Sequence, residues 1–108
     1  VVFTNVDSPR SFIEQKNYAK TLIQKGATIG ANSTIVCGNG IGQYAFIGAG
    51  AVVTKGVPAF SKFYGVPAIH HRWISHAGFD LIFNQDGKAS CPKTGENYML
   101  VDGNVFPL

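Results

Sequence analysis

Three histidines, two cysteines and a few basic side chains are the groups in this 108-residue chain that could carry chemistry unaided. His70, His71 and His76 lie together in "IHHRWISH", and an imidazole is the usual proton acceptor near neutral pH. Cys37 and Cys91 stand apart, without the paired spacing of a zinc site or a disulfide framework. A reducing, cytoplasmic setting fits them. Arg10, in "DSPRS", carries the planar fork that suits a diphosphate or a carboxylate. Lys16, Lys20 and Lys55 read by default as solvated. Trp73 either stacks on a flat ligand or seals the end of a core. Asn5 closes a turn on the plain reading. A carboxamide is no useful base, but it can orient an amine or donate to a carbonyl oxygen.

What must position these groups is a repeat. Ile23, Ile29, Ile35, Ile41, Ile47 and Val53 stand six residues apart without a miss. Four residues after each come Ala27, Ser33, Asn39, Ala45, Ala51 and Val57, small or apolar except at Asn39. A six-residue apolar period is neither the 3.6 of a helix nor the 2 of a plain strand. It fits short strands joined by sharp turns, each strand presenting the same inward position. Glycines cluster where such turns fall, and Asn32 is a residue that tolerates a left-handed turn. Three strand-and-turn units make a triangular coil, and stacked coils make a parallel β-helix with Ile ladders inside. Residues 23–58 supply six hexads, about two coils. "VVFTNV" reads as the end of an earlier coil with Phe3 inward, and coils are expected upstream of Val1.

Residues 7–22 break the phase and read as a loop excursion, with a helical turn around Ser11–Lys20. After Val57-Pro58 the repeat ends. The chain divides into a β-helix over 1–68 and a tail over 69–108. The tail is expected to hold a short helix near Ile69–Ala77, then small strands turning at Asp86-Gly87 and Asp102-Gly103. It is placed as a cap on the open end of the stack. Asn39-Gly40 departs from the small-residue rule, so either that corner is reshaped or Asn39 reaches a neighbour. One domain of this size buries a thin core. The net charge of +3 is mild, no basic cluster interleaved with aromatics points to nucleic acid, and no apolar run is long enough to span a membrane.

"IGANSTIVCGNGIGQYAFIGAGAVVTKGVPAF" followed by "GVPA" resembles the acetyl-CoA-dependent hexapeptide-repeat acyltransferases. With "FTNVDSPRS" and "CPKTGENYML", the chain is similar more narrowly to bacterial nucleotide-sugar N-acetyltransferases, those acting on UDP-2-acetamido-3-amino-2,3-dideoxy-glucuronate. The resemblance implies a left-handed coil, a homotrimer with acetyl-CoA between neighbouring β-helices, no metal, and acetylation of a sugar 3-amine for surface-polysaccharide synthesis. It assigns the chemistry to Asn5, with Arg10 holding the nucleotide diphosphate or sugar carboxylate. Along the donor it places Ala31, Gly48, Ala49 and Gly50 beside the pantetheine arm. Lys55 follows on the same edge and meets a phosphate, Pro67 and Ala68 pack the adenine end, and Arg72 is a second phosphate candidate. The histidines all follow the repeat, so a general base is expected upstream of Val1, or the amine needs none.

Three rivals remain open at this point. The acceptor could be a dTDP-amino sugar, an amino acid or a sugar hydroxyl. The module could be non-catalytic, because hexads specify shape and not chemistry. A zinc-dependent carbonic anhydrase on this fold needs three histidine ligands that the coils do not contain.

Overall fold

The structure, a computed structural model, describes residues 1–6, 11 and 19–108. Arg10 and residues 12–18, the bulk of the helical turn expected around Ser11–Lys20, fall outside the described residues.

The hexads build the expected coils. Strands β1 (Val2–Phe3), β3 (Thr34–Ile35) and β5 (Val52–Val53) stack in parallel, with Phe3 beside Ile35 and Ile35 beside Val53. Strands β2 (Thr28–Ile29) and β4 (Phe46–Ile47) form a second face, which β6 (Ser61–Gly65) extends by pairing Ile47 with Phe63. A third face is held by parallel bridges from Ile23 to Ile41 and from Ile41 to Val57. Strands of two residues cannot stand alone, and each is held by the coils above and below it. Ile35, Ile41 and Ile47 are fully buried, each contributing about 1.5–3 kcal/mol of hydrophobic burial. Phe3 keeps the inward register yet is half exposed, because no coil covers it.

Corners recur with the same beat. Gly26, Asn32, Gly38, Tyr44 and Gly50 all have left-handed backbone, with φ between 56° and 84°. The small residues between them pack inward, and buried Ser33 spends its hydroxyl on the Gly30 carbonyl, 2.5 Å away. Asn39 settles its own exception. Its side-chain Nδ2 donates to the Val36 carbonyl at 2.8 Å, the same three-residue reach as Ser33, so the corner keeps its regular shape with no Asn-Gly turn and no neighbour is reached.

The last coil is shorter. Thr34 and Val52 are eighteen residues apart in register, but Phe46 and Lys62 only sixteen. Val57, counted by the hexads as a small-residue position, therefore takes the next inward station, and Phe63 the one after it. The next left-handed corner correspondingly falls at Phe60 (φ 58°), whose ring stacks on Tyr44 at 5.6 Å.

The short helix expected near Ile69–Ala77 is not formed. Ala68–Ile74 is strand β7, antiparallel to β6 across a tight turn at Gly65–Ala68, and β8 (Asp80–Leu81) pairs beyond it. The physical reason is an open edge: β6 would otherwise leave a row of unpaired backbone groups, and "AIHHRWI" is rich in β-favouring side chains. The tail does cover that end of the sheet. Its remaining strands, β9 (Lys88–Ser90), β10 (Asn97–Val101) and β11 (Asn104–Pro107), form an antiparallel sheet, and β10–β11 turns at Asp102-Gly103 as expected. Asp86-Gly87 also lies in a turn, closed between Asn84 and Lys88. A second core of Phe60, Leu81, Ala89, Cys91, Tyr98 and Val105 joins this sheet to the Tyr44–Phe60 corners, and Trp73 packs against it. Among the described residues no helix is long and apolar enough to cross a membrane.

The stacking distance makes the glycines that face the next coil's backbone, Gly30 and Gly42, decisive. A Cβ on Gly30 would lie 2.5 Å from the Ala49 backbone nitrogen in the next coil, whereas one on Gly56 would meet nothing closer than 4.0 Å. Gly30→Ala should destabilise the fold by about 1–3 kcal/mol in chemical denaturation, while Gly56→Ala should leave the midpoint nearly unchanged.

Candidate functional site

The first face of the coil, carrying β1, β3 and β5, is bordered by most of the candidate residues. Along one edge, Ala31 and Ala49 stack one coil apart, with the Gly50 N–H donating to the Ala31 carbonyl at 2.9 Å. Ala31, Ala49 and Gly50 are exposed, and Gly48 is half-buried beneath Tyr64. Among the described residues the Ala49 peptide groups enter no backbone hydrogen bond. A strip with small side chains and unspent N–H and C=O groups suits an extended ligand that carries amides of its own.

Lys55 does not share that edge. Strand β5 intervenes, and Lys55 lies at the next corner, with Thr54. The hairpin brings it to the other candidates from above. Thr54, Lys55, Phe63, Pro67, Ala68, Ile69 and His70 line one cleft of about 260 Å³. Lys55, Pro67 and Ala68 thus converge although twelve residues of chain separate the first two. The Val66-Pro67 peptide is cis, and Ala68 is buried in the coil core.

Phe63 is not singled out by the sequence, and His70 is singled out there as a candidate base and not as the wall of a cleft. Alternation in "SKFY" and "IHHRWI" around Gly65-Val66-Pro67 is the hairpin signal that would have set them face to face. Their rings meet edge to face at 5.7 Å, and His70 also lies 4.5 Å from the Trp73 ring. Trp73 is accordingly part of the packing at the end of the coil. Burial first, then the neighbouring His71, lowers the His70 pKa below 6.5. His71 stacks on Tyr64 at 3.5 Å. His76 lies elsewhere: it is edge-on to Tyr44 at 4.5 Å, and its Nδ1 is 2.7 Å from the hydroxyl of fully buried Tyr98 and 3.4 Å from Glu96.

Arg72 is not gathered into the cleft. It sits beside Lys62 on the outer side of the second face, and its guanidinium pairs with Asp80 at 2.8 Å. Cys37 and Cys91 are both buried. A hydrogen bond to Ser75 is the main cause that lowers the Cys91 thiol to about 7, but at 2% exposure the sulfur meets no ligand.

Asn5 lies on the same edge as Lys55 but two coils away, roughly 10 Å along the axis at ~4.8 Å per coil. The edge is traced by Thr4, whose hydroxyl accepts from the Cys37 N–H at 2.9 Å. Asn5 is exposed, and among the described residues its carboxamide has no hydrogen-bond partner. With Phe3, Thr4, Ala19, Thr21 and Ile23 it borders a hollow of about 370 Å³ at the end of the stack, where the inward side chains Phe3 and Ile23 have no coil over them.

No family model matches the chain. The chain is 44% identical over 93 residues to a dTDP-3-amino-3,6-dideoxy-alpha-D-galactopyranose 3-N-acetyltransferase of Aneurinibacillus thermoaerophilus, covering 86% of this chain and 47% of that one. Among solved structures, it matches the hexapeptide-repeat-containing acetyltransferase of Vibrio cholerae O1 biovar eltor complexed with acetyl coenzyme A. That match has a TM-score of 0.58 and 26% identity over 68% of this chain and 42% of that one. The comparisons support the hexapeptide-repeat acetyltransferase family. A galactoside acetyltransferase in complex with coenzyme A, another acetyltransferase, matches at a TM-score of 0.53 with 33% identity, over 56% of this chain and 30% of that one. The chain spans about half the length of the curated relative named above and less of these two. That curated relative is named for a dTDP-linked sugar, not for the UDP-linked uronic acid of the narrower resemblance.

His70 sets a pH dependence. Its folded pKa is depressed, so the unfolded chain takes up its proton first as pH falls, and stability is lost from about 6.5 downward. His70→Gln should flatten the acid side of a Tm-against-pH curve, with little change above pH 7.

Proposed function

We propose that the chain acts as an acetyl-CoA-dependent N-acetyltransferase on the 3-amine of a nucleotide-linked amino sugar. The observation that carries this reading is the single cleft shared by Lys55, Pro67 and Ala68. It lies above a face whose other border is the exposed Ala31–Ala49 strip. The reading takes 1–68 as a left-handed β-helix acyltransferase domain and 69–108 as its tail. It takes the working state as a homotrimer in which a neighbouring chain covers that face; prism-shaped subunits close naturally into a three-fold ring.

Acetyl-CoA supplies an activated acetyl thioester. The residues do the rest. Ala49 offers its peptide groups to the amide-bearing arm, with nothing bulky at Ala31 or Gly50 to obstruct it. Pro67 and Ala68 provide an apolar seat for the adenine end, and Lys55 offers a cation to a phosphate. Phe63, Ile69 and His70 complete that seat, and a neutral His70 keeps it apolar. Arg72, engaged with Asp80, is the weaker phosphate candidate. Asn5 orients the amine or donates to the carbonyl oxygen on which negative charge develops. The amine nitrogen bonds to the carbonyl carbon, the carbon–sulfur bond breaks, and the departing thiol takes the proton.

For the acceptor, a dTDP-linked 3-amino-3,6-dideoxy sugar is favoured over a UDP-linked uronic acid. The relative's name supports this. Arg10 remains the proposed contact for the nucleotide diphosphate, and synthesis of a bacterial surface polysaccharide in the cytoplasm the proposed setting.

Calorimetric titration with acetyl-CoA, on material whose mass is fixed by light scattering, tests the reading. Saturable binding to a trimer is expected, and Ala49→Trp should weaken it at least tenfold while the protein stays folded. Acetyl transfer to a panel of dTDP- and UDP-linked 3-amino sugars should then follow, with the dTDP sugars preferred. A folded chain that ignores acetyl-CoA would refute the donor assignment.

A further inference from the structure

The cleft beside the hairpin is lined by two groups that can hold positive charge. Lys55 comes to it from the corner after β5, and His70 from β7. The rest of the lining is apolar apart from Thr54. No acid answers the two cations. The His70 ring meets Phe63 of β6 edge to face at 5.7 Å and Trp73 of its own strand at 4.5 Å. Its neighbour His71, stacked on Tyr64, is a further potential cation. Lys62 and Arg72 lie on the outer side of the sheet, where Arg72 takes Asp80 of β8, and Glu96 faces His76. Among the described residues no carboxylate pairs with His70 or Lys55.

A proton on His70 is therefore opposed while the cleft is empty. Partial burial of the ring, then His71, holds its pKa below 6.5. The residue still keeps enough exposure to exchange its proton with water. What the protonated ring lacks is an anion, and the donor assigned to this cleft brings several negative charges.

From this juxtaposition we infer that His70 couples donor binding to pH: a phosphate of acetyl-CoA seated beside Lys55 draws a solvent proton onto the ring, so the chain holds its donor more tightly in mildly acidic solution. The inference rests on the donor reading above and adds a regulation of that same cleft. At and above neutral pH the ring stays an apolar wall, and Lys55 alone meets the phosphate. As pH falls, the cleft gains a second cation. The sign follows from charge, because a cation added beside a polyanion attracts it wherever in the cleft the phosphate lies. Linkage makes the effect reciprocal: the factor that protonation adds to donor affinity, the donor adds to proton affinity. At a site open to water and salt that factor is a few-fold.

NMR of the histidine Cε1–H groups reads the coupling at the residue itself. The full chain is titrated from about pH 8 to about pH 5, with and without saturating coenzyme A. The His70 midpoint should move upward by about half a pH unit with coenzyme A. His76, packed against Tyr98, should be unmoved, and adenosine, which has no phosphate, should raise none of the three. His71→Gln and His76→Gln assign the signals by elimination, so the reading does not need a folded His70 variant. Where His70→Gln folds, the ratio of wild-type to variant affinity for coenzyme A should rise about twofold between about pH 7.5 and about pH 5.5. Taking the ratio removes the titration of the nucleotide's own phosphate.

Saturable coenzyme A binding that leaves the His70 midpoint in place, or lowers it, overturns the inference while the donor assignment stands. An equal upward shift with adenosine overturns it too, since no phosphate is then involved. Coenzyme A that perturbs no histidine and gives no heat of binding brings down the donor assignment and the inference together.

Discussion

The three inward columns must keep one register, and nearly everything else in the molecule follows from that constraint. Phe3–Ile35–Val53, Ile29–Ile47–Phe63 and Ile23–Ile41–Val57 each align across parallel pairs. A one-residue slip would turn every one of these side chains to solvent and drive the outward ones inward. With strands only two residues long, the hydrogen bonds of any single coil are too few to prevent it. The left-handed corners do prevent it. By repeating every six residues through Gly50 they fix how much chain each face receives.

Shortening the last coil is what converts this regular stack into a site. Two residues fewer between Val53 and Val57 pull the chain in, move Phe60 into a corner, and let β6 leave the coil in phase with the second face. The chain then reverses at Gly65–Ala68 and covers its own edge with β7. The same reversal drops Ala68 onto the core and sets Pro67, Ile69 and His70 against Thr54 and Lys55. End cap and cleft are one event. The tail is anchored separately, where the Tyr44 and Phe60 rings meet His76 and Tyr98, and buried Tyr98 is held by both the backbone and the ring of His76.

The sequence was most legible where one physical demand governs many positions. Inward stations, small corner residues and the Asp102-Gly103 hairpin all obey local rules, and they appear where those rules place them. It was least legible where tertiary demand overrides local preference. Tyr44 and Phe60 occupy left-handed corners that propensity would reserve for Gly or Asn, because each ring gains partners in the second core. "AIHHRWI" looked able to form a helix until the open edge of β6 was there to pair with it. Lys55 lies across β5 from the Ala49 edge that the resemblance gives it, because the two-residue strand carries the chain to the next corner.

The arrangement around the first face also explains why shape alone leaves the chemistry unfinished. Ala31 and Ala49 border it on one edge, Asn5 and Lys55 on the other, and all four are exposed. Between them run the outward side chains Val2, Thr34 and Val52, a mostly apolar column with half of Val2 open to solvent. Transfer of an acyl group to an amine competes with transfer to water, and a flat, open face does nothing to exclude water. A groove needs a second wall. The apolar column is suited to receive one, and the two flanking edges would become the two sides of a channel once it does. This is the physical content of the trimer proposed above: the neighbouring chain adds burial to a thin stack, and in the same contact it would turn a bordered surface into a site that can choose nitrogen over water.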